Sequence, residues 1–260
     1  MTRHAVVALT LAAAVGALTA PTALADSTAV PSPVAAVPTD PVVTGVTVNG
    51  GKDVVVGITE RKTFDVTVYG SDDSGLEMAD VDLLGPNFGF YTTDNFCETA
   101  TACTMSFTVD PHLDPYNDDA DLSNANAGAW YVNTLVDTND GVSFLTKHAG
   151  DFRIKRAAKI TVNAAPEPVT KGGTLTVTGK LTRANWDTYR YAGYTGQTVT
   201  LQFRPKNSTA YTTVKTLKTD GTGNLRTTVK AAADGYWRWT FAGTTTTAPK
   251  TAAGDYVDVR

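Results

Sequence analysis

"GYWRWTFAG", residues 235–243, decides the fold class. Trp237, Trp239 and Phe241 alternate with Tyr236, Arg238 and Thr240. A period of two puts the first set on one face of a strand and the second set on the other. The aromatic set is expected to face a core, because buried aromatic anchors on a central strand commonly fill two-sheet sandwiches. "QTVTLQFR", residues 197–204, repeats the pattern, with Val199, Leu201 and Phe203 on one face and Thr200, Gln202 and Arg204 on the other. A strand with one dry and one wet face belongs in an antiparallel sheet.

Working outward from these runs, "KITVNA", "TLTVTGKLT", "YTTVKTLKT", "GNLRTTVKA" and "DYVDVR" bring the strands of residues 157–260 to seven. "TDGTG", Thr219–Gly223, is expected to be a hairpin turn between the fourth and fifth. Upstream, "TGVTVNG", "DVVVGI", "TFDVTVYG", "MADVDLLG", "CTMSFTV", "AWYVNTLV", "VSFLTK" and "DFRIKR" are short runs rich in Val, Thr, Phe and Tyr, separated by Gly, Asp and Asn. "DTNDG", Asp137–Gly141, is a hairpin signal, since Asp-Gly tolerates the positive φ of tight turns. No long apolar run of period 3.6 follows the N-terminal segment. The expected class is all-β, with two consecutive antiparallel β-sandwiches.

The "TLTVTGKLT…GQTVTLQFRP…YTTVKTLKTDGTGNLRTTVKA…GYWRWTFAG…DYVDVR" series resembles the bacterial Ig-like modules of secreted actinobacterial proteins. The likeness covers residues 157–260 well and the preceding module loosely. It implies an accessory, adhesive or binding role. It implies neither a particular ligand nor catalytic residues.

The N-terminus reads as a processing segment. Arg3, the apolar run "AVVALTLAAAVGAL" and the small-x-small site Ala23–Ala25 make residues 1–25 a signal peptide. Residues 26–41, "DSTAVPSPVAAVPTDP", read as an extended Pro/Ala-rich linker. No later stretch is apolar enough to span a bilayer, and the expected product is secreted. Cys97 and Cys103 are expected to form a disulfide, which suits an oxidising compartment. So small a closed loop stabilises by about 2 kcal/mol in the chain-entropy account.

About 235 residues remain after cleavage. "KRAAKITVNAAPEPVTKGG" marks the seam, and a cut after Arg156 gives modules 42–156 and 157–260. Residues 26–156 carry 20 Asp and Glu against 7 Lys and Arg, whereas residues 157–260 carry 6 against 14. An acidic module followed by a basic one suggests different partners, or contact with each other.

Three constellations could carry chemistry. The first is "DPHLDPYNDDADLSNAN", residues 110–126, where Asp110, Asp114, Asn117, Asp118, Asp119 and Asp121 offer oxygens of the kind calcium takes. Its best EF-hand register starts at Asn117. It fails at Leu122, where Gly is needed, and at Gly128, where Glu is needed. The second lies in two other loops. In Ig strand order the loops holding Asp72 and Asp73, and Asp137 and Asp140, fall at one end of the sandwich, opposite the 110–126 loop. The Asp residues should therefore split into two possible calcium clusters.

The third is "TRANWDTYRYAGYTG", residues 182–196, in which Trp186, Tyr189, Tyr191 and Tyr194 are mixed with Arg183 and Arg190. Rings and guanidinium groups suit sugars, peptides and wall polymers. The same rings could instead cap an open sandwich end. A secreted chain with an acidic mature region argues against nucleic acid as the partner.

Catalysis has little to stand on. The mature chain holds only His112 and His148, no G-x-S-x-G elbow, no Gly-rich phosphate loop and no His-Glu-x-x-His zinc motif. The expectation is a secreted, non-catalytic binding or adhesion protein directed at an anionic or carbohydrate cell-envelope polymer or an envelope protein. A calcium-binding protein is the alternative. A hydrolase built on His112 or His148 is the third reading.

Overall fold

The computed structural model describes residues 40–86, 88–92, 95–111 and 122–260. The expected signal peptide, most of the linker, His112, Asp114, Asn117, Asp118, Asp119 and Asp121 lie outside the described residues.

The first sandwich holds β1 (Val42–Val48), β2 (Val54–Val56), β3 (Lys62–Ser71), β4 (Leu76–Gly85), β5 (Phe88–Tyr91), β6 (Asn95–Phe96), β7 (Ala102–Val109), β8 (Gly128–Thr138) and β9 (Ser143–Arg156). One sheet runs β1-β3-β7; the other runs β2-β9-β8-β4-β5, with β6 also on β4. The chain switches sheets between β1 and β2 through Asn49–Gly51, where Gly50 and Gly51 take φ of 61° and 76°. β2 then lies parallel to the last strand, β9. Two facing sheets with this strand order and one parallel edge make an Ig-like sandwich.

Side chains alternate as the pattern requires. Along β8, Trp130, Val132 and Val136 point into the core with Val66, Val68, Val81 and Leu83. The Trp130 indole lies flat on β4, and a Cβ at Gly85 would sit 2.3 Å from its Cε2, so this close approach requires glycine.

"VSFLTK" and "DFRIKR", read as two strands, are one. Thr134 pairs with Thr146 and Val132 with Gly150, leaving Lys147, His148 and Ala149 as a bulge opposite Asn133. Asn133 Oδ1 accepts the His148 N–H at 2.9 Å, with His148 at φ 54°.

The second sandwich holds β10 (Ala158–Ile160), β11 (Asn163–Ala165), β12 (Thr174–Asn185), β13 (Arg190–Gly193), β14 (Thr198–Pro205), β15 (Thr212–Lys218), β16 (Asn224–Lys230), β17 (Gly235–Phe241), β18 (Lys250–Thr251) and β19 (Asp255–Val257). β12 pairs with β10, β11, β13 and β16, and the facing sheet runs β15-β14-β17 with β18 and β19 on β17. Trp237, Trp239 and Phe241 are 5, 0 and 3 % exposed, so they fill the core as their alternation requires.

The Thr219–Gly223 turn is not a hairpin. β15 pairs with β14 and β16 with β12, so the turn carries the chain from one sheet to the other. Asp220 Oδ1 accepts the backbone N–H groups of Thr222 and Asn224, both at 2.8 Å, and Gly223 sits at φ 84°. These bonds hold the Asp220 carboxyl down at about 2. An Asp-Gly turn is tight wherever its flanking strands go, which is why it reads as a hairpin.

Candidate functional site

The 182–196 stretch sits at the seam between the sandwiches. β12 is long enough to pair with β16 over Thr174–Lys180 and with β13 over Thr182–Asn185. Its far end delivers Ala184, and just past it Trp186, into the core of the first sandwich. Trp186 is 1 % exposed. Its Nε1 donates to Gly57 O at 2.9 Å, and its backbone N–H donates to Asn124 Oδ1 at 3.0 Å. Trp186, expected among the surface contacts, is therefore a core residue of the neighbouring sandwich.

Tyr194 is also buried, edge-on to Phe241 with centroids 5.7 Å apart, and Arg183 covers its ring at 4.0 Å. Tyr191 packs against the first core. Burial and, secondarily, Glu60 raise its hydroxyl above the usual phenol range. Tyr189 is half-buried at φ 54°, and of the six only Arg190 is exposed. Sequence could place aromatic residues here. It could not show which sandwich they would enter.

The seam is also polar. Arg156 is 6 % exposed, and its Nε donates to Ala184 O at 2.5 Å. Burial, and then Arg183, lower its guanidinium to about 10, so it remains charged at neutral pH. Backbone bonds cross beside it, from Ala157 N to Val56 O at 2.8 Å and from Arg156 N to Thr246 O at 3.0 Å. The exit of the 110–126 loop docks here as well: Asn124 N donates to Asp187 Oδ1 at 2.9 Å, and Asn124 Nδ2 donates to Asn185 Oδ1 at 2.8 Å. Both sandwiches belong to one compact unit.

The opposite tip of the first sandwich is acidic. Asp72, Asp73 and Asp140 each bring an oxygen to within 4.8 Å of the others. Asp72 Oδ2 is buried without a hydrogen-bond partner, while its Oδ1 accepts Ser74 N at 2.9 Å. The Thr138 hydroxyl, donating to Asp140, holds that carboxyl below its usual range. Asp137 lies outside this group, and its Oδ1 accepts the Ser143 hydroxyl. Asp110 lies at the other end, paired with Arg61 at 2.7 Å. The Cys97–Cys103 disulfide closes a loop against the same tip, where Leu76 N donates to Ala100 O at 2.9 Å.

A third assembly escaped the sequence. On the outward face of the second sandwich, Arg204 lies beside Tyr236 and Tyr236 beside Tyr256 in cross-strand register, with Gln202 beside Arg238 in the next row. Tyr211 stands between the rows, its ring 3.5 Å from the Arg238 guanidinium and 5.3 Å from that of Arg204. Arg204 covers the Tyr236 ring at 4.1 Å, and the Tyr236 and Tyr256 rings are 5.2 Å apart. Gln202 Oε1 accepts Arg238 Nε at 2.8 Å, which fixes that guanidinium in the plane. Lys206 extends the face over Tyr256, with Asp234 nearby at 3.9 Å. All five Tyr and Arg residues are half-buried, so each keeps surface in water. Alternation marks Tyr236 and Arg238 as outward; only strand register and the position of Tyr211 make them a continuous stack.

His148 stacks on Tyr131 with centroids 4.9 Å apart and bonds Asp151 at 2.8 Å. Its side chain is 60 % exposed and that of Asp151 78 %, an open surface pair rather than a general base shielded in a cleft.

No family model matches the chain, and no curated protein matches it. Among solved structures it is similar to trypsin-activated alpha-2-macroglobulin from Escherichia coli, at 13 % identity and TM-score 0.29, covering 83 % of this chain and 16 % of that one. It is similar to a tetra-tandem repeat in the extending region of a large adhesion protein, at 12 % identity and TM-score 0.31, over 84 % of this chain and 49 % of that one. It is also similar to the D00-D0 domain of intimin, at 14 % identity and TM-score 0.29, over 82 % and 98 %. The chain thus spans less than two thirds of the first two structures. Among the described residues no helix is long and apolar enough to cross a membrane.

Proposed function

We propose that this chain is an exported, non-catalytic binding protein that holds an anionic carbohydrate polymer of the cell envelope on the outward face of its second sandwich. The observation that carries this reading is the stack of Tyr211, Tyr236 and Tyr256 with Arg204 and Arg238. Tyrosine rings offer flat apolar area to sugar rings at little entropic cost. Guanidinium groups offer paired donors to carboxylate or phosphate. The sheet, the cation–π contacts and the Gln202 bond hold these groups in place before any ligand arrives, which reduces the ordering cost of binding. The surrounding module carries 14 Lys and Arg against 6 Asp and Glu, which favours polyanions at long range. Export rests on the pattern of residues 1–25 and on the disulfide.

Titration of the chain with polygalacturonate at increasing salt tests the reading. Binding should weaken with salt, and Tyr211→Ala or Tyr236→Ala should weaken it by about 2 kcal/mol, on the order of 30-fold. Equal binding by both variants would remove the face from the account.

A second reading is calcium binding at the acidic tip, favoured by the convergence of Asp72, Asp73 and Asp140 and by the buried, unpartnered Oδ2 of Asp72. Calcium at one hundred times its dissociation constant would add about 2.7 kcal/mol, several degrees in the thermal midpoint. Asp140→Asn should abolish that shift. An equal midpoint in calcium and in chelator would exclude the site.

A further inference from the structure

A half-open cleft of about 450 Å³ lies at the seam, within the volume range of small-molecule sites. The chain after β2, at Gly57 and Ile58, forms part of its wall, and Lys159 of β10 and Tyr191 of β13 complete it from the second sandwich. Arg61 and Lys62 line it as well, and among the described residues Glu60 is the one carboxylate in its lining.

Three features make this more than a gap between modules. The first is its charge. Residues 26–156 hold only 7 Lys and Arg, and two consecutive ones line this cleft, where a third cation arrives from the other sandwich. Like charges gathered by two elements favour an anion between them.

The second is that two of the three cations are held. Asp110 takes Arg61 Nε at 2.7 Å, which orients the guanidinium while occupying only part of its donor fork. Lys159 Nζ sits 3.9 Å from the centroid of the Tyr191 ring. The third is shape. Tyr191 is backed by the first core, and Gly57 O is fixed by Trp186 Nε1, so the wall is pinned on both sides of the seam. The cleft exceeds the size of a bare oxyanion and offers a phenol and backbone groups to hydroxyls.

We propose that this cleft is a second binding site, for a sugar unit bearing a carboxylate or phosphate, and that its occupant ties the two sandwiches together. The inference is independent of the Tyr–Arg face and uses none of its residues.

Calorimetric titration of the full chain with glucuronate, glucose 1-phosphate, glucose and inorganic phosphate tests it. Both sugar oxyanions should bind saturably, and glucose and inorganic phosphate should each bind at least about ten-fold more weakly. Lys62→Gln and Lys159→Gln should each weaken the sugar oxyanions by about ten-fold. Both variants should keep the parent circular dichroism spectrum, and Arg226→Gln, at an exposed residue of β16 that belongs to neither the cleft nor the Tyr–Arg face, should bind like the parent. Failure of both sugar oxyanions to bind, or unchanged affinity in both lysine variants, would overturn the site. Equal binding of glucose would overturn its charge preference, and equal binding of inorganic phosphate would overturn the sugar component. Loss on Arg238→Glu alone would move these ligands to the Tyr–Arg face.

Discussion

Between Arg183 and Tyr194 the chain places two Arg, three Tyr and one Trp; across Arg204, Tyr211, Tyr236, Arg238 and Tyr256 it places two Arg and three Tyr. Most of the first set is drawn into the seam or a core, with Trp186 at 1 % exposure inside the neighbouring sandwich and Arg190 alone exposed. The second lies on a sheet face with every member partly in water. Composition does not separate them. The length of β12 does, because it projects beyond its pairing with β16 and carries Trp186, just past its end, to the other core. One set of rings has become structure, and the other is left to meet a ligand.

Trp186→Ala should therefore have the largest effect. It empties a buried indole site and removes the bond to Gly57 O, at a cost of about 3–5 kcal/mol. Scanning calorimetry should show a lower midpoint and separation of one transition into two as the sandwiches uncouple. A change of under about 1 kcal/mol would mean that the seam does not depend on this anchor.

Tyr211→Ala is the counterpart on the exposed face. It removes half-buried surface and two cation–π contacts, and should cost only about 1 kcal/mol in stability. A loss comparable to that of Trp186→Ala would make both sets structural and erase the contrast.

A smaller effect should appear at acid pH. Asp220 is held at about 2, against about 3.9 in an unfolded chain. Its contribution is present above pH 4 and is lost as the pH falls through about 2. Asp220→Asn should flatten that part of the stability profile. An unchanged profile would show that the sheet-to-sheet turn is not held by this carboxylate.

Much of the fold was legible because it rests on local alternation. Val199 and Leu201, and Trp237, Trp239 and Phe241, are buried where a period of two puts them. The Asp137–Gly141 turn joins β8 to β9 as a hairpin. Features set by distant pairing were not legible. The Thr219–Gly223 turn has hairpin chemistry and still crosses between sheets, because β16 finds β12 rather than β15. His148 and its neighbours look like a strand break and form a bulge, because Asn133 accepts the His148 N–H. The Tyr–Arg face needed three strands in register and a residue from outside them. The seam cleft needed two sandwiches.

The most direct test of the central claim is the affinity of the full chain for polygalacturonate in two charge-reversed variants, Arg238→Glu on the sheet face and Arg190→Glu on the exposed part of the seam loop. Arg238→Glu should weaken binding on the order of 30-fold or more, and Arg190→Glu should stay within about two-fold of the parent. The reverse order would contradict the account and return polymer binding to the Arg183–Tyr194 loop.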